Sequence, residues 1–521
     1  MNSYLAHLFT FRAALNGASE KSDIQKGVDF LSETVVLKRQ FQLLAECLSF
    51  VQEESERRLN SALLRIGVAS LPDEILSVIF AFASQCESIQ DDHNPYNRGD
   101  RFVSKNVKQF FSAVSLSHVC RRFRHIILSA PEFWTSIWDN MRPGVVEFCL
   151  VRSGAMPLEL FLDSFCNAHS HPEFYSDEFS SKLIASSPRW RNLTIKVAPF
   201  DVVMRQSPFE SVEAPQLKTL SIHSPLKFPV DPDNIESRIS ACHKWAVPLL
   251  QSLNIYQFIP PPFHHATSLR NLHVELGVQT LAGGSLGWIL DINALGQFLQ
   301  SFPALANLSM KIAEPHSVIN PPSAASFSLP NVENVTLSFP SCKSSMIAHL
   351  LGNIRFPASS TLNVSFGLAA NKGSSLTTKL FLMFNIFTKV VNLKLNVYCN
   401  EGDYALHRRA GEISVPFSVL GRIREFTFTV SNFELQLPST DTRIPPLRSL
   451  NLIDCMPVPH VWVYEVLKLL DNQGDLDSLE KLRIYNRGSR WNFNLDCRPL
   501  SPESILKRVR LEKSRSSFST V

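Results

Sequence analysis

Paired cysteines are missing from this chain. Its ten cysteines (Cys47, Cys86, Cys120, Cys149, Cys166, Cys242, Cys342, Cys399, Cys455 and Cys497) lie far apart, with no C-x-x-C among them. That pattern excludes a zinc knuckle and a disulfide framework, and fits buried thiols in a reducing compartment. Glycine is scarce, 19 against 32 prolines, which argues against collagen and against a Gly-rich phosphate-cradling enzyme. Charge of one sign is lacking too. Lys+Arg 51 against Asp+Glu 47 leaves +4, too mild for a nucleic-acid-binding stripe. No run reaches the roughly 18 apolar residues of a membrane-crossing helix. Met1 to Leu15 has no basic region ahead of its apolar stretch, a poor signal peptide, so the expected location is cytosol or nucleus. What the chain does have is a globular composition, 45% hydrophobic and 19% charged, which rules out wholesale disorder. At 521 residues it exceeds one ordinary core and reads as several domains or one extended solenoid.

Residues 31–66 read as one long helix. Leu37, Phe41, Leu44, Leu48 and Val51 recur at alternating spacings of four and three, a heptad seam. The seam meets Ser55 and Arg58 and resumes, shifted, at Leu59, Leu63 and Ile66. Its expected use is packing against its own chain, with self-association as the alternative.

A second helix is predicted over residues 70–84, SLPDEILSVIFAFAS. Ser70 with Asp73 fits a capping box, Pro72 falls in the first turn, and Asp73 and Glu74 suit the positive end of the helix dipole. Ile75, Leu76, Val78, Ile79, Phe80 and Phe82 then make it apolar on almost every side, so it must bury more than one face. Residues 85–112 are polar and read as a mobile surface loop, long for a compact domain. From 113 to 138, Leu116, Val119, Phe123, Ile126 and Ile127 form a helical stripe, with Arg121, Arg122, Arg124 and His125 on the other faces. Ala130-Pro131 ends that helix and opens a short one carrying Phe133, Trp134, Ile137 and Trp138. A helical module of this size has little core of its own, and a permanent partner would supply the missing burial.

From Trp190 onward a phrase recurs, apolar-x-x-Leu-x-apolar. It runs through Trp190/Leu193/Ile195, Leu217/Leu220/Ile222, Leu250/Leu253/Ile255, Leu269/Leu272/Val274 and Leu305/Leu308/Met310. It continues through Val332/Val335/Leu337, Val390/Leu393/Leu395, Ile423/Phe426/Phe428, Leu447/Leu450/Leu452 and Leu479/Leu482/Ile484, with a degenerate copy at Ser359/Leu362/Val364. The mean period is about 29 residues, and the phrase matches the strand turn of a leucine-rich repeat. In such an array each strand turns two apolar side chains inward, and no repeat buries its face alone. Prolines 215, 248, 303, 330, 445 and 446 stand shortly before strands, where a preceding helix must stop. The Asn/Cys ladder position after the strand is not consistently filled, which makes the solenoid irregular.

Catalytic and metal signatures are weak. Gly283, Ser285 and Gly287 spell G-x-S-x-G, but the nearest expected strand ends near Leu276, too early for a hydrolase elbow. His169, His171 and Cys166, and the His264-His265 pair, fall short of a four-ligand zinc set. The sequons at Asn192, Asn307, Asn334 and Asn363 lie inside repeat strands and read as by-products of the repeat. Trp134 and Trp138 read as core. Lys507, Arg508, Arg510, Lys513 and Arg515 form a basic tail. No catalytic residue, metal or cofactor is expected, and the chain is expected not to be an enzyme.

The residues at 70–84 and 113–138 resemble an F-box: Leu71-Pro72, Ile75, Ile79 and Phe80, then Val119-Cys120-Arg121 and Phe123, then Pro131 and Trp134. With Arg152-Ser153-Gly154, Pro157, Leu158 and Leu160, and then Arg189-Trp190, Leu193 and Ile195, the chain is similar to the F-box-like proteins expanded in mushroom-forming fungi. Phe123 stands where that family often has Trp. The resemblance implies the substrate receptor of an SCF-type (Skp–cullin–F-box) ubiquitin ligase. Leu71, Pro72, Ile75, Leu76, Ile79, Phe80, Val119, Cys120, Arg121 and Phe123 would bind the Skp adaptor, and through it a cullin. The repeats would hold a protein target. A non-catalytic scaffold without ubiquitin transfer is the alternative. The expected fold class is α+β. A helical segment (1–66) precedes an F-box-like helical domain (67–140, with the loop 85–112). An irregular α/β leucine-rich-repeat-like solenoid (141–495) and a basic flexible tail (496–521) follow.

Overall fold

Each copy of the recurring phrase is a β-strand, and the strands stack in register. The structure is a computed structural model. It describes residues 21–66, 71–85, 100–138, 141–163, 177–196, 211–223, 244–263, 265–277, 289–313, 315, 317–319, 326–340, 342–368, 387, 389–399, 412–415, 417, 420–431, 433–455, 460–486, 491–497, 500–501 and 503–509. Among these residues the largest sheet has fourteen strands, and their spatial order is their chain order. They are β1 (Ser136–Trp138), β2 (Leu158–Asp163), β3 (Trp190–Lys196), β4 (Thr219–His223), β5 (Ser252–Tyr256), β6 (Asn271–Leu276) and β7 (Asn307–Ile312). β8 (Asn334–Phe339), β9 (Thr361–Leu368), β10 (Asn392–Cys399), β11 (Glu425–Val430), β12 (Ser449–Ile453), β13 (Lys481–Asn486) and β14 (Trp491–Asp496) complete it. All neighbours are parallel except β13 and β14.

The phrase sets the register. Leu193, Leu220, Leu253, Leu272, Leu308, Val335, Leu362, Leu393, Phe426, Leu450 and Leu482 pair in one unbroken row across β3 to β13. Two residues on, Ile195 to Ile484 form a second row, and both rows are buried. A one-residue slip would turn every one of these side chains to water, so the register is strongly specified. At roughly 1.5–3 kcal/mol per buried aliphatic or aromatic side chain, burial rather than any local propensity holds the stack. The opening slot of the phrase is buried too, including Ser359 at 0% exposure. Its hydroxyl lies 3.3 Å from the carbonyls of Glu333 and Thr361, so the degenerate copy still satisfies its polar group.

The other face of the sheet is polar. Its first row carries an amide ladder: Asn334 donates to Asn307 and Asn307 to Asn271, both at 2.7 Å, and Asn271 to the Ser252 hydroxyl at 3.2 Å. Two of the sequon asparagines, Asn307 and Asn334, are therefore rungs of this ladder. After the strands, the buried thiols of Cys342 and Cys455 approach the carbonyls of Ile312 (3.1 Å) and Phe428 (3.8 Å). Cys455 stands eight residues after Leu447, at the Asn/Cys position that is inconsistently filled along the chain, whereas Cys342 stands ten after Val332, two residues beyond that position.

The helices among the described residues include α1 (Lys21–Ile66), α2 (Asp73–Gln85), α3 (Asp100–Ser117), α4 (Arg121–Ser129), α5 (Pro143–Arg152), α6 (Asp177–Ala185), α7 (Ile292–Gln300), α8 (Ser344–Asn353) and α9 (His460–Asn472). By sequence the inter-strand segments 287–302, 346–354, 379–387 and 464–471 read as helix-like; α7, α8 and α9 fall on the first, second and fourth, and 379–387 lies outside the described residues apart from Phe387. Asp291 caps α7, its carboxylate accepting from the N–H groups of Asn293 (2.8 Å) and Ala294 (3.0 Å).

The chain divides into two compact units, residues 1–88 with 113–127, and residues 89–112 with 128–521. Several expectations change. Residues 100–112, expected within a mobile loop, belong to α3. The reason is aromatic: Phe110 lies edge-on to Trp134 (5.9 Å) and Trp138 (5.1 Å), and Phe148 to Trp134 (5.0 Å). The short helix expected over 131–138 is instead a 3-10 turn, Pro131–Trp134, followed by β1, the first strand of the sheet. Residues 503–509, within the span read as a flexible tail, are helical, with Ile505 and Val509 buried. α1 begins at Lys21, ten residues before its expected start. It was expected to pack on its own chain, but Phe41, Leu44, Leu48 and Val51 are exposed. The capping serine Ser70, the G-x-S-x-G at 283–287, Cys166, His169, His171, His264 and the basic residues from Arg510 onward lie outside the described residues.

Candidate docking site

α2 starts at Leu71-Pro72, where the Pro72 carbonyl accepts from the Leu76 N–H at 3.0 Å. Leu76, Phe80 and Ser84, spaced by four, form its buried face. Phe80 meets Phe123 of α4 edge to face, centroids 4.7 Å apart. Cys120 precedes α4 as its cap: its carbonyl accepts from the Arg124 N–H (3.0 Å) and its sulfur from the Phe123 N–H (3.4 Å). Arg122 reaches back to Asp73, Nε to Oδ1 at 2.8 Å, and also donates to the Leu71 carbonyl. Arg124 donates to the Ser117 carbonyl at 3.0 Å. The two helices are thus joined by one aromatic contact and one charged clasp.

What remains outside is apolar. Ile75, Val78, Ile79 and Phe82 are 47%, 53%, 44% and 71% exposed. Their spacing, i, i+3, i+4, i+7, is that of a single helix face. Val119, in the turn before α4, is 63% exposed. The ten residues expected to meet a partner therefore divide. Leu76 and Phe80 are buried in the fold, and Leu71 and Phe123 are half-buried. Pro72, Ile75, Ile79, Val119, Cys120 and Arg121 are exposed. Val78 and Phe82 belong to the exposed face and were missed as contact residues. Their spacing to Ile75 and Ile79 was the signal that could have found them.

A second surface lies on the polar face of the sheet. His223 of β4 and Tyr256 of β5 are register partners, and their rings stack at 3.9 Å and 5°. Tyr256 tilts against His273 of β6 at 5.5 Å, and His273 Nδ1 lies 3.0 Å from the Ser309 hydroxyl of β7. Glu275 takes the Lys311 ammonium at 2.5 Å. Burial, with Lys196 adding to it, pushes His223 down to about 4. Burial alone would raise Glu275, but His273 and Lys311 override it and bring its pKa down to about 2. At neutral pH this patch therefore presents a neutral imidazole–phenol stack beside an ion pair. Farther along, Glu425, Arg448, Ser449, Asn451, Glu480, Lys481 and Arg483 line a polar groove of about 320 Å³, with Arg448 and Glu480 paired at 2.7 Å.

Burial pushes the thiols of Cys149 and Cys455 up to about 12 and that of Cys497 to about 11, so these sulfurs stay protonated and unreactive at neutral pH. No helix among the described residues is long and apolar enough to cross a membrane. No protein-family model matches the chain, and no curated protein matches it.

Proposed function

We propose that this chain is the substrate-recognition subunit of an SCF-type ubiquitin ligase. In this reading α2 and α4 form an F-box that docks a Skp adaptor. The repeated strands form an irregular leucine-rich-repeat-like solenoid that holds a protein target on its polar face. The observation that carries it is the face of Ile75, Val78, Ile79 and Phe82, four large apolar side chains in a row on a short, thinly cored helix pair. Leaving such a face in water is unfavourable, and an apolar partner surface would relieve it. The reading needs no nucleophile in this chain. The ligase acts by proximity, since holding a target beside a transferring enzyme raises its effective concentration.

The test is co-purification of the full chain with a Skp-type adaptor. Wild type should elute as a one-to-one complex. Ile79→Asp with Phe82→Asp should abolish it while the tryptophan emission of the sheet region stays unchanged. Failure of the wild-type chain to bind the adaptor would shift the reading to a repeat scaffold without ubiquitin transfer.

A further inference from the structure

α1 spans 46 residues, about 69 Å at 1.5 Å per residue. Helices in proteins draw most of their stability from packing an apolar face. Here that face is open: Phe30, Phe41, Leu44, Leu48, Val51 and Leu59 are between 57% and 71% exposed. Placing Phe30, Leu37, Leu44 and Val51 at heptad position d puts Thr34, Phe41 and Leu48 at a. Val36, Leu43 and Phe50 flank the seam on the d side and are also more than half exposed, so the apolar face is broader than a bare a/d stripe.

The charges choose a partner and a direction. Glu33 falls at g and Lys38 at the following e, both exposed. In a parallel, in-register pair of helices, g of one strand faces the next e of the other, so Glu33 of each copy meets Lys38 of its mate. In an antiparallel pair g faces g and e faces e, and that match is lost. After Val51 the seam turns polar at Ser55 and Arg58, but the Arg58 guanidinium is neutralised within its own helix by Glu54 at 2.9 Å, which also holds Arg57 at 2.7 Å. The step from Val51 through Ser55 to Leu59 is a four-residue insertion in the heptad, which unwinds a supercoil locally without ending it. From Phe30 to Ile66 the a, d, e and g positions number about 21 per strand, which reaches the ~20–30 residues a side of a stable interface.

We propose that two copies of this chain associate in parallel through α1, with Phe30, Phe41, Leu44, Leu48 and Val51 in the shared seam and Glu33 paired to Lys38 across it. The association stands on α1 alone and holds whatever partner α2 takes. Its consequence is multivalency: the segments that follow residue 66 in both copies leave the paired helices at the same end. A target gripped by one copy is then presented to the second at raised effective concentration.

Light scattering on the full chain tests it. The expected mass at micromolar concentration is twice 58.7 kDa. Leu44→Asp with Leu48→Asp should return it to a single copy, weakening association at least about 100-fold. None of the seven tryptophans lies in α1, so their emission should not change and will report that the rest of the chain remains folded. Glu33→Lys alone should weaken the pair about three- to tenfold, and adding Lys38→Glu should restore it. A single-copy mass for wild type, a mass above two copies, or a dimer that survives the seam changes would overturn the proposal. Failure of the double charge exchange to restore association would overturn the parallel arrangement.

Discussion

Arg122 clasps Asp73 across 49 positions of sequence, its guanidinium 2.6 Å from the carboxylate at the first turn of α2. The same group donates to the Leu71 carbonyl, so one side chain fixes both the entry and the start of the helix that carries the apolar face. Arg122→Ala should cost about 1 kcal/mol or less, because both partners are partly exposed. The local effect should be larger than the global one. Amide exchange over residues 73–85 should speed up while the strands of the sheet keep their protection. Unchanged exchange in α2 would mean the clasp does not hold it.

Leu76 is buried on α2 and Ile79, three residues on, is exposed, and their truncation should separate folding from docking. Leu76 is fully buried, so Leu76→Ala should destabilise the helical unit by about 2–5 kcal/mol. Ile79→Ala removes a side chain that is 44% exposed and should change stability by less than about 1 kcal/mol. Only the second should weaken adaptor binding with folding intact. Thermal melts beside a binding titration decide the matter. Equal losses of stability would mean that Ile79 is part of the core.

Acid should act on the polar face in two stages. Below pH 6.5 the unfolded chain takes up a proton that folded His223 refuses until about pH 4, so stability falls as pH drops through that window. Glu275 has the opposite chemistry and the same direction. Its ionised form is favoured by the fold above pH 4.5, and that contribution is lost as pH falls toward about 2. His223→Phe should keep the stack on Tyr256 and flatten the upper stage while leaving the lower one. Urea unfolding at pH 7, 5.5 and 4.5 measures it. A variant with the wild-type slope would rule out His223 as the source.

Two helical glycines should respond in opposite ways to one methyl group. A Cβ on Gly296 of α7 would stand 2.3 Å from the buried ring of Phe327. Alanine normally gains about 1 kcal/mol over glycine in a helix, but overpacking costs about 1–3 kcal/mol, so Gly296→Ala should be destabilising. Gly352 of α8 has nothing within 4 Å of that position, and Gly352→Ala should stabilise by up to about 1 kcal/mol. Denaturation midpoints of the two variants test the contrast. A stabilising Gly296→Ala would show that the ring moves aside.

Much of the fold was legible because its information is local and repeated. The six-residue phrase opens beside a turn and ends in a period-two strand, and eleven copies of it became β3 through β13. The strand read as a helix, β1, shows where that logic ends. Ser136, Ile137 and Trp138 are too few for any period to declare itself, and only the presence of β2 alongside makes them extended. α3 was hidden for a related reason. Its polar first half lies beside a run of Asp and Asn, and Phe110 stabilises it through tryptophans that are distant in sequence. In the candidate docking site, the residue types make α2 apolar on almost every side. Which of them face inward depends on where Phe123 sits.

By itself, then, the sequence determined the strand register, the buried rows, the apolar character of α2 and the heptad seam of α1. These follow from side-chain periodicity, which is written residue by residue. Only the tertiary structure decided that Leu76 and Phe80 are core while Ile75, Val78, Ile79 and Phe82 are surface. It also decided that the α1 seam is left open, and that His223, Tyr256, His273, Glu275 and Lys311 form one patch. Those outcomes depend on which elements lie side by side. A residue between 19 and 36 positions away in the chain becomes a neighbour about 5 Å away only once the strands are stacked.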